Sequence, residues 1–377
     1  MITHLSISNL KLHDHTDLEL SGLTILTGMN GMGKSTVIQS LILLRQSFMM
    51  NDLDSGLNLK GDLCDAGISG ELACQASNEH TLNINMKFAG QDNLDFSFVY
   101  PDDIMDTMLP GTEGNVTSKA VLSKYSLFNE KFQYLSAFRF GPQKSYNRDT
   151  SLVVTKKQIS KIMGQCEYAV HFLEQYKNLN IPIKELAIID DEDIMPDYRL
   201  AVQVERWLCL VSPNIRINIE QVGEDFKLKY RFSRKGNTIT EDITALNTGF
   251  GITYVLPILI AVLSAGKDAI ILIENPEAHL HPKGQAKLME LISKAVAHGV
   301  QVIIESHSDH IINGSLVAVN KKLITSGLLS IYYFEREEHG HTALSHRLQI
   351  SESGRINRPP KGFFDQIETD LRILTGF

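Results

Sequence analysis

The segment Gly28-Met29-Asn30-Gly31-Met32-Gly33-Lys34-Ser35 constrains this chain more than any other. Two glycines separated by four residues and followed by Lys-Ser have the spacing of a P-loop, provided that a strand precedes and a helix follows. Both contexts are legible. Leu23 to Leu26 is a short apolar run bounded by Gly22 and Gly28, as in a buried strand. Ser35 to Phe48 carries Val37, Ile38, Leu41, Ile42, Leu44 and Phe48 at helical spacing. In such a loop glycines let successive N–H groups turn inward around phosphates, and the helix N-terminus adds the positive end of its dipole. The expected nucleotide contacts are therefore Asn30, Gly31, Gly33, Lys34, Ser35 and Thr36. Lys34 supplies a cation for the β- and γ-phosphates of ATP, and the Ser35 hydroxyl a ligand for Mg²⁺.

A P-loop also needs an acidic group at a nearby strand end to hold the metal's shell. Ala269 to Ile273 is a continuous apolar run that ends in Glu274-Asn275-Pro276-Glu277, so Glu274 is the expected metal-linked and catalytic carboxylate. A second run, Val302 to Ile304, ends in Glu305-Ser306-His307-Ser308, which places His307 within reach of a γ-phosphate or an attacking water. A helix is expected between the two runs, over Pro282 to Ala297. His279 and His281 lie two apart, a spacing that does not put both on one helix face, and no further Cys or His stands at zinc-site spacing.

The remainder is ordinary globular sequence. Of 377 residues 43% are hydrophobic and 21% charged, so a large core is available. The net charge of −8 argues against a generally basic nucleic-acid coat, while leaving a local basic groove open. Cys64, Cys74, Cys166 and Cys209 form no Cys-x-x-Cys pair, which fits buried thiols in a reducing cytoplasm. No signal peptide is legible. The longest apolar stretch, Phe250 to Ala265, is shorter than the ~20 residues of a membrane span and reads as a buried helix. Alternation over residues 2–8, 70–100 and 215–232 predicts antiparallel strands, and 155–210 reads mostly as helix. One discontinuous nucleotide-binding core (1–50 and 240–345), an insertion (50–240) with β and helical parts, and a tail region (346–377) account for this pattern. In the tail, Phe363, Phe364, Ile367, Leu371 and Leu374 fall on one helical face.

Taken together these residues resemble the ABC-type ATPase clan of the SMC, RecF and OLD (overcoming lysogenization defect) proteins. Asn30 in the glycine loop, Glu274 to Pro282 as Walker B strand and D-loop, and Glu305 to His310 as switch-histidine strand carry the resemblance. Leu246-Asn247-Thr248-Gly249-Phe250-Gly251 resembles a divergent signature motif. Tyr134 to Arg139 with Gly141-Pro142-Gln143 resembles the segment before the insertion, with Gln143 as its Q-loop glutamine. The C-terminal Pro360 to Gln366 resembles the end of small AAA-type ATPases whose C-terminal domain has no assigned function. The implied fold is α/β, an ABC-type P-loop NTPase head with an antiparallel β subdomain and an inserted, mainly helical lobe.

The resemblance further implies a homodimer over two ATP molecules, each held between one subunit's P-loop and Thr248 and Gly249 of the other. Two departures matter. The clan's Asp-Glu pair is here Glu274-Asn275, and an amide cannot accept a proton from water as a carboxylate does. Hydrolysis is therefore expected to be slow, with Glu277 as the substitute carboxylate. The signature also lacks the usual Ser-Gly-Gly. The expected function is an ATP-dependent cytoplasmic switch that controls a separate effector, a nuclease or toxin, in bacterial anti-phage defence. A DNA-repair clamp and a transporter ATPase subunit are the alternatives. Nucleic acid remains open as a partner, and a membrane is not expected.

Overall fold

A computed structural model describes residues 1–90, 92–115, 118–190, 195–233, 238–336, 340–360, 363 and 366–375. Its centre is a six-stranded sheet in the order Ala343–Arg347, Leu329–Arg336, Leu23–Gly28, Gln301–Glu305, Ile270–Glu274 and Phe132–Leu135. All neighbours are parallel except the first pair. The strand Gln301–Glu305 thus lies between the P-loop strand and Ile270–Glu274, with Glu305 in register with both Leu26 and Glu274.

Side chains alternate across a strand, so each strand feeds two cores. Leu23, Ile25, Ile271, Ile273, Val302 and Ile304 face one of them, with the helices Ala169–Tyr176, Leu200–Val211, Phe250–Ser264, Pro282–Ala297 and Asp309–Asn320. Leu26, Ile270, Leu272 and Ile303 face the other. There the helix Lys34–Met50 and a four-stranded antiparallel sheet complete the layer. That sheet runs His13–Glu19, Ile2–Leu10, Thr81–Phe88, Asn93–Val99. Burial of continuous Ile, Leu and Val runs on both faces is what a parallel strand requires.

The hairpin Ile215–Val222 with Asp225–Phe232 forms as the alternation predicts, joined by Ile243–Thr244. A two-way backbone bridge ties it to the segment after Phe132–Leu135: the Tyr146 N–H donates to the Phe226 carbonyl (2.8 Å) and the Phe226 N–H to that of Tyr146 (2.9 Å). The apolar stretch from Phe250 is a buried helix despite the internal Pro257.

Two expectations differ from the fold. Over 155–210, expected to be mostly helix, the α-helices among the described residues are only Ala169–Tyr176 and Leu200–Val211, and residues 157–166 are not helical. Lys157, Met163 and Cys166 adopt positive φ, and the Glu167 carboxylate accepts from the Ser160 hydroxyl and the N–H groups of Lys161 and Ile162. This side-chain capping replaces the helical ladder. The core sheet also takes Phe132–Leu135 from the region read as insertion; a four-residue strand is too short to show a period. The tail does contain a helix, Gln366–Thr375. Phe363 sets its ring edge-on to Tyr333 (5.7 Å between centroids), whereas Leu374 is 81% exposed. The side chains of Phe364, Ile367 and Leu371 lie outside the described residues. Among the described residues no helix is long and apolar enough to cross a membrane.

Candidate nucleotide site

The loop after Leu23–Gly28 owes its shape to backbone that only glycine adopts easily. Gly28, Gly31 and Gly33 all have positive φ, and a Cβ on Gly28 would overlap the Phe334 carbonyl oxygen of the neighbouring strand. Gly33 is held from below by His13, a residue the sequence reading did not single out. The His13 ring is buried, with Nε2 2.9 Å from the Gly33 carbonyl oxygen and Nδ1 2.8 Å from the Thr16 hydroxyl. An Nε2–H donating to Gly33 leaves Nδ1 of a neutral ring to accept from the Thr16 hydroxyl. Burial holds the imidazole below its usual pKa, against the pull of the Gly33 carbonyl. No periodicity or motif announces His13, because it comes from a strand of the other sheet.

Lys34 is buried, and its ammonium donates to the Met29 carbonyl oxygen (2.6 Å), so it lies folded over the loop. Burial lowers its pKa and nearby Glu305 partly offsets that. The loop leaves Asn30, Gly31 and Ser35 exposed, and Thr36 buried.

The nearest carboxylate to the P-loop serine is Glu305: the Ser35 hydroxyl donates to its Oε1 at 2.8 Å. Its Oε2 is buried without a hydrogen-bond partner. Burial first, and the charges of Glu274 and Glu277 after it, push the Glu305 carboxyl up to about 7, while Ser35 and Lys34 act in the opposite sense. Glu274 stands one strand further away. Its Oε1 accepts from the Tyr134 hydroxyl (3.0 Å) and its Oε2 from the Ala137 N–H (3.1 Å). Burial raises its pKa too. Ser35, Thr36, Tyr134, Glu274, Asn275 and Glu305 line one cavity of about 410 Å³. A divalent cation fits this donor set: a P-loop hydroxyl and two strand-end carboxylates, one of them with an orphaned oxygen, match the few protein oxygens that Mg²⁺ takes beside phosphates. Among the described residues no three His, Cys, Asp or Glu cluster as a self-sufficient metal site.

Glu277 points elsewhere. Its Oε2 accepts from the Ser306 hydroxyl (2.9 Å) and its Oε1 from the His307 N–H (2.8 Å). It therefore fixes the turn that carries His307 and has both oxygens engaged. The His307 ring is exposed, yet desolvation and then the Lys34 charge hold its pKa down.

Arg139, also missed as a site residue, locks the turn after Glu274. One guanidinium nitrogen donates to the carbonyls of Ser136 (2.6 Å) and Glu274 (2.6 Å), and the other to that of Asn275 (2.8 Å). Asn275 has φ of 45°, a left-handed conformation that Asn tolerates better than most residues.

Gln143 is exposed and does not line the cavity of Ser35; its N–H donates to the Tyr146 hydroxyl (3.2 Å). Thr248 and Gly249 lie at the start of helix Phe250–Ser264, whose first turn has no side-chain cap. The Thr248 hydroxyl donates instead to the Thr244 carbonyl (3.0 Å). That turn packs on the loop after Glu277: the His279 carbonyl fills the space where Gly251 would carry a Cβ, and the His279 ring lies 4.8 Å from Tyr254 and 5.7 Å from Phe250. His281 is the N-cap of Pro282–Ala297, its Nδ1 accepting from the Lys283 N–H (3.2 Å). Phe138 (71% exposed) and Phe250 (58%) present bare rings on this part of the surface.

The AAA ATPase domain family (AAA_15) matches residues 1–199 and 211–312, and the chain belongs to it. A second family, described only as a protein of unknown function (DUF3696), matches residues 324–374. No curated protein matches the sequence. Among solved structures, the SmcHead bound to the C-winged helix domain of ScpA is similar over 93% of this chain and 98% of its own, with a TM-score of 0.55 at 13% identity. An Smc head domain with an extended coiled coil, bound to the C-terminal domain of ScpA from Pyrococcus furiosus, matches over 100% and 99%, with a TM-score of 0.51 at 13% identity. The fold is that of an SMC/ABC-type ATPase head.

Proposed function

We propose that this chain is a slow ATP-hydrolysing switch that pairs with a second copy of itself over nucleotide and controls a separate effector. The observation that carries the reading is the division of the site. Ser35 and Thr36 line one cavity with Glu305 and Glu274, and this reading gives that cavity to the phosphate and cation. Thr248, Gly249 and the uncapped first turn of Phe250–Ser264 lie on the His279 loop, open to solvent and flanked by exposed Phe250. A helix N-terminus with free N–H groups suits a phosphate, and here that phosphate would be the partner copy's.

Within one subunit, Lys34 and the inward N–H groups of the loop bind the β- and γ-phosphates. A divalent cation at Ser35 would neutralise phosphate charge. His307 is held by Glu277 on the γ-phosphate side, where it orients the attacking water or reports on it. Glu277 acts through that turn and not as a proton acceptor, since both its oxygens already accept hydrogen bonds. With Asn275 in the usual position of the base, proton removal is inefficient and the ATP-bound state is long-lived. Such a lifetime suits a sensor more than a motor. Control of an effector in anti-phage defence rests on the resemblance to OLD-like proteins, and the similar heads solved with ScpA make a docked second protein a natural arrangement.

Light scattering decides the first part. ATP with Mg²⁺ should convert the protein to a dimer, most completely in E274Q, and a monomer under every nucleotide condition overturns the pairing. Co-purification with the products of adjacent genes tests the second: a nuclease or toxin retained only with ATP supports it, and no retained effector in any nucleotide state overturns it.

A further inference from the structure

We propose that the carboxylate which shares a divalent cation with the P-loop serine is Glu305, on the strand of the switch histidine, and not Glu274 on the strand where the usual arrangement places it. The inference rests on the nucleotide reading above and concerns this chain's own residues. Glu305 Oε1 is 2.8 Å from the Ser35 oxygen, whereas Glu274 is hydrogen-bonded away from the P-loop, to the Tyr134 hydroxyl and the Ala137 N–H. Glu305 is 5% exposed and its second oxygen has no donor at all.

An unpartnered carboxylate oxygen in the interior is unfavourable unless something meets it under working conditions. Among the described residues no protein donor meets it, and Lys34 turns its ammonium to the Met29 carbonyl instead. The register places Glu274 directly beside Glu305 on the next strand, so two acidic ends converge here. A doubly charged ion next to Ser35 answers both observations: it gives the orphaned oxygen a partner and offsets the charge of the two converging acidic ends. Mg²⁺ is held in this way by one or two carboxylates together with phosphate oxygens.

The arrangement has a corollary. Glu305 is followed immediately by Ser306 and His307, so an ion on Glu305 pulls on the residues that Glu277 fixes.

The experiment measures affinity for a non-hydrolysable ATP analogue by calorimetry, in Mg²⁺ and in EDTA, for the wild type, E305Q and E274Q. Mn²⁺ bound per nucleotide, read by electron paramagnetic resonance, is the second readout. The wild type should bind more tightly with Mg²⁺. E305Q should lose that gain and bind Mn²⁺ roughly 10–100-fold more weakly, with its EDTA affinity unchanged. E274Q should keep most of both. A full Mg²⁺ gain in E305Q overturns the assignment, as does E274Q being the only variant to lose it. E305D guards against a folding defect in E305Q: its shorter carboxylate should weaken the Mg²⁺ gain while the EDTA affinity stays intact, and an undiminished gain overturns the proposal. A wild type that binds no nucleotide under either condition overturns the P-loop reading itself, a result distinct from failure of Glu305 alone.

Discussion

Replacing Arg139 with Met tests whether the turn after Glu274 is held by its guanidinium. The change removes three hydrogen bonds, to the carbonyls of Ser136, Glu274 and Asn275. Bonds with a charged partner contribute roughly 1.5–3 kcal/mol each, a gross loss of about 4.5–9 kcal/mol. Two terms offset it. Burial of the guanidinium itself costs several kcal/mol, and burial lowers its pKa accordingly. Its Nε also lacks a partner, a penalty of about 1–3 kcal/mol that disappears with the side chain. A net destabilisation of about 2–4 kcal/mol remains, within the range for breaking a buried charged network. Urea denaturation measures it. The same protein should bind ATP with nearly wild-type affinity, because Arg139 touches no P-loop residue, yet turn it over more slowly. R139K should recover only part of the loss, since an ammonium cannot reproduce a planar fork. A folded R139M within about 0.5 kcal/mol of wild type, with normal turnover, refutes the clamp.

Four more outcomes are expected. G28A should abolish tight ATP binding, because its Cβ meets the Phe334 carbonyl and its φ of 134° is strained for alanine; an unchanged affinity in a folded G28A contradicts the loop geometry. The folded His13 titrates below its unfolded value of 6.5, so the stability of its neutral form is complete above about pH 6.5 and is lost as pH falls below it. Thermal melts should show wild type losing its advantage over H13Q as pH falls below 6.5, and parallel curves refute this. N275E should raise turnover by up to the ~10²-fold lower end of general-base catalysis, at about 1 kcal/mol of stability for a non-Asn residue with positive φ. E277Q, which retains only one acceptor oxygen, should lower turnover without lowering ATP affinity; the reverse pattern in either variant refutes its assigned role.

Much of this architecture is written locally. The P-loop, its flanking strand and helix, the helix Pro282–Ala297 and the strand that ends in Glu274 each follow from local spacing, whereas Glu305 was not singled out. The resemblance supplied the order in which they assemble. What sequence could not reveal are partnerships made across strands. His13 reaches Gly33 from the other sheet, Arg139 reaches Glu274 over 135 positions, and Ser35 reaches Glu305 over 270. No period or motif encodes such distances. Gln143 was placed by analogy and is exposed away from the Ser35 cavity. The stretch 157–166 departs from helix because the Glu167 carboxylate just beyond it accepts from the Lys161 and Ile162 N–H groups that a helix would otherwise pair.

The two-way bridge between Tyr146 and Phe226 gives the lobe a mechanical connection to the chemistry. Phe226 belongs to the hairpin, and Tyr146 lies seven residues along the chain from the Arg139 guanidinium that grips the turn after Glu274. Tension on the hairpin from a protein docked on the lobe would travel down that short tether to the grip. The same tether runs in reverse, so closure around the phosphates would tug the hairpin. Seven residues of chain are all that separate the bridge from the grip.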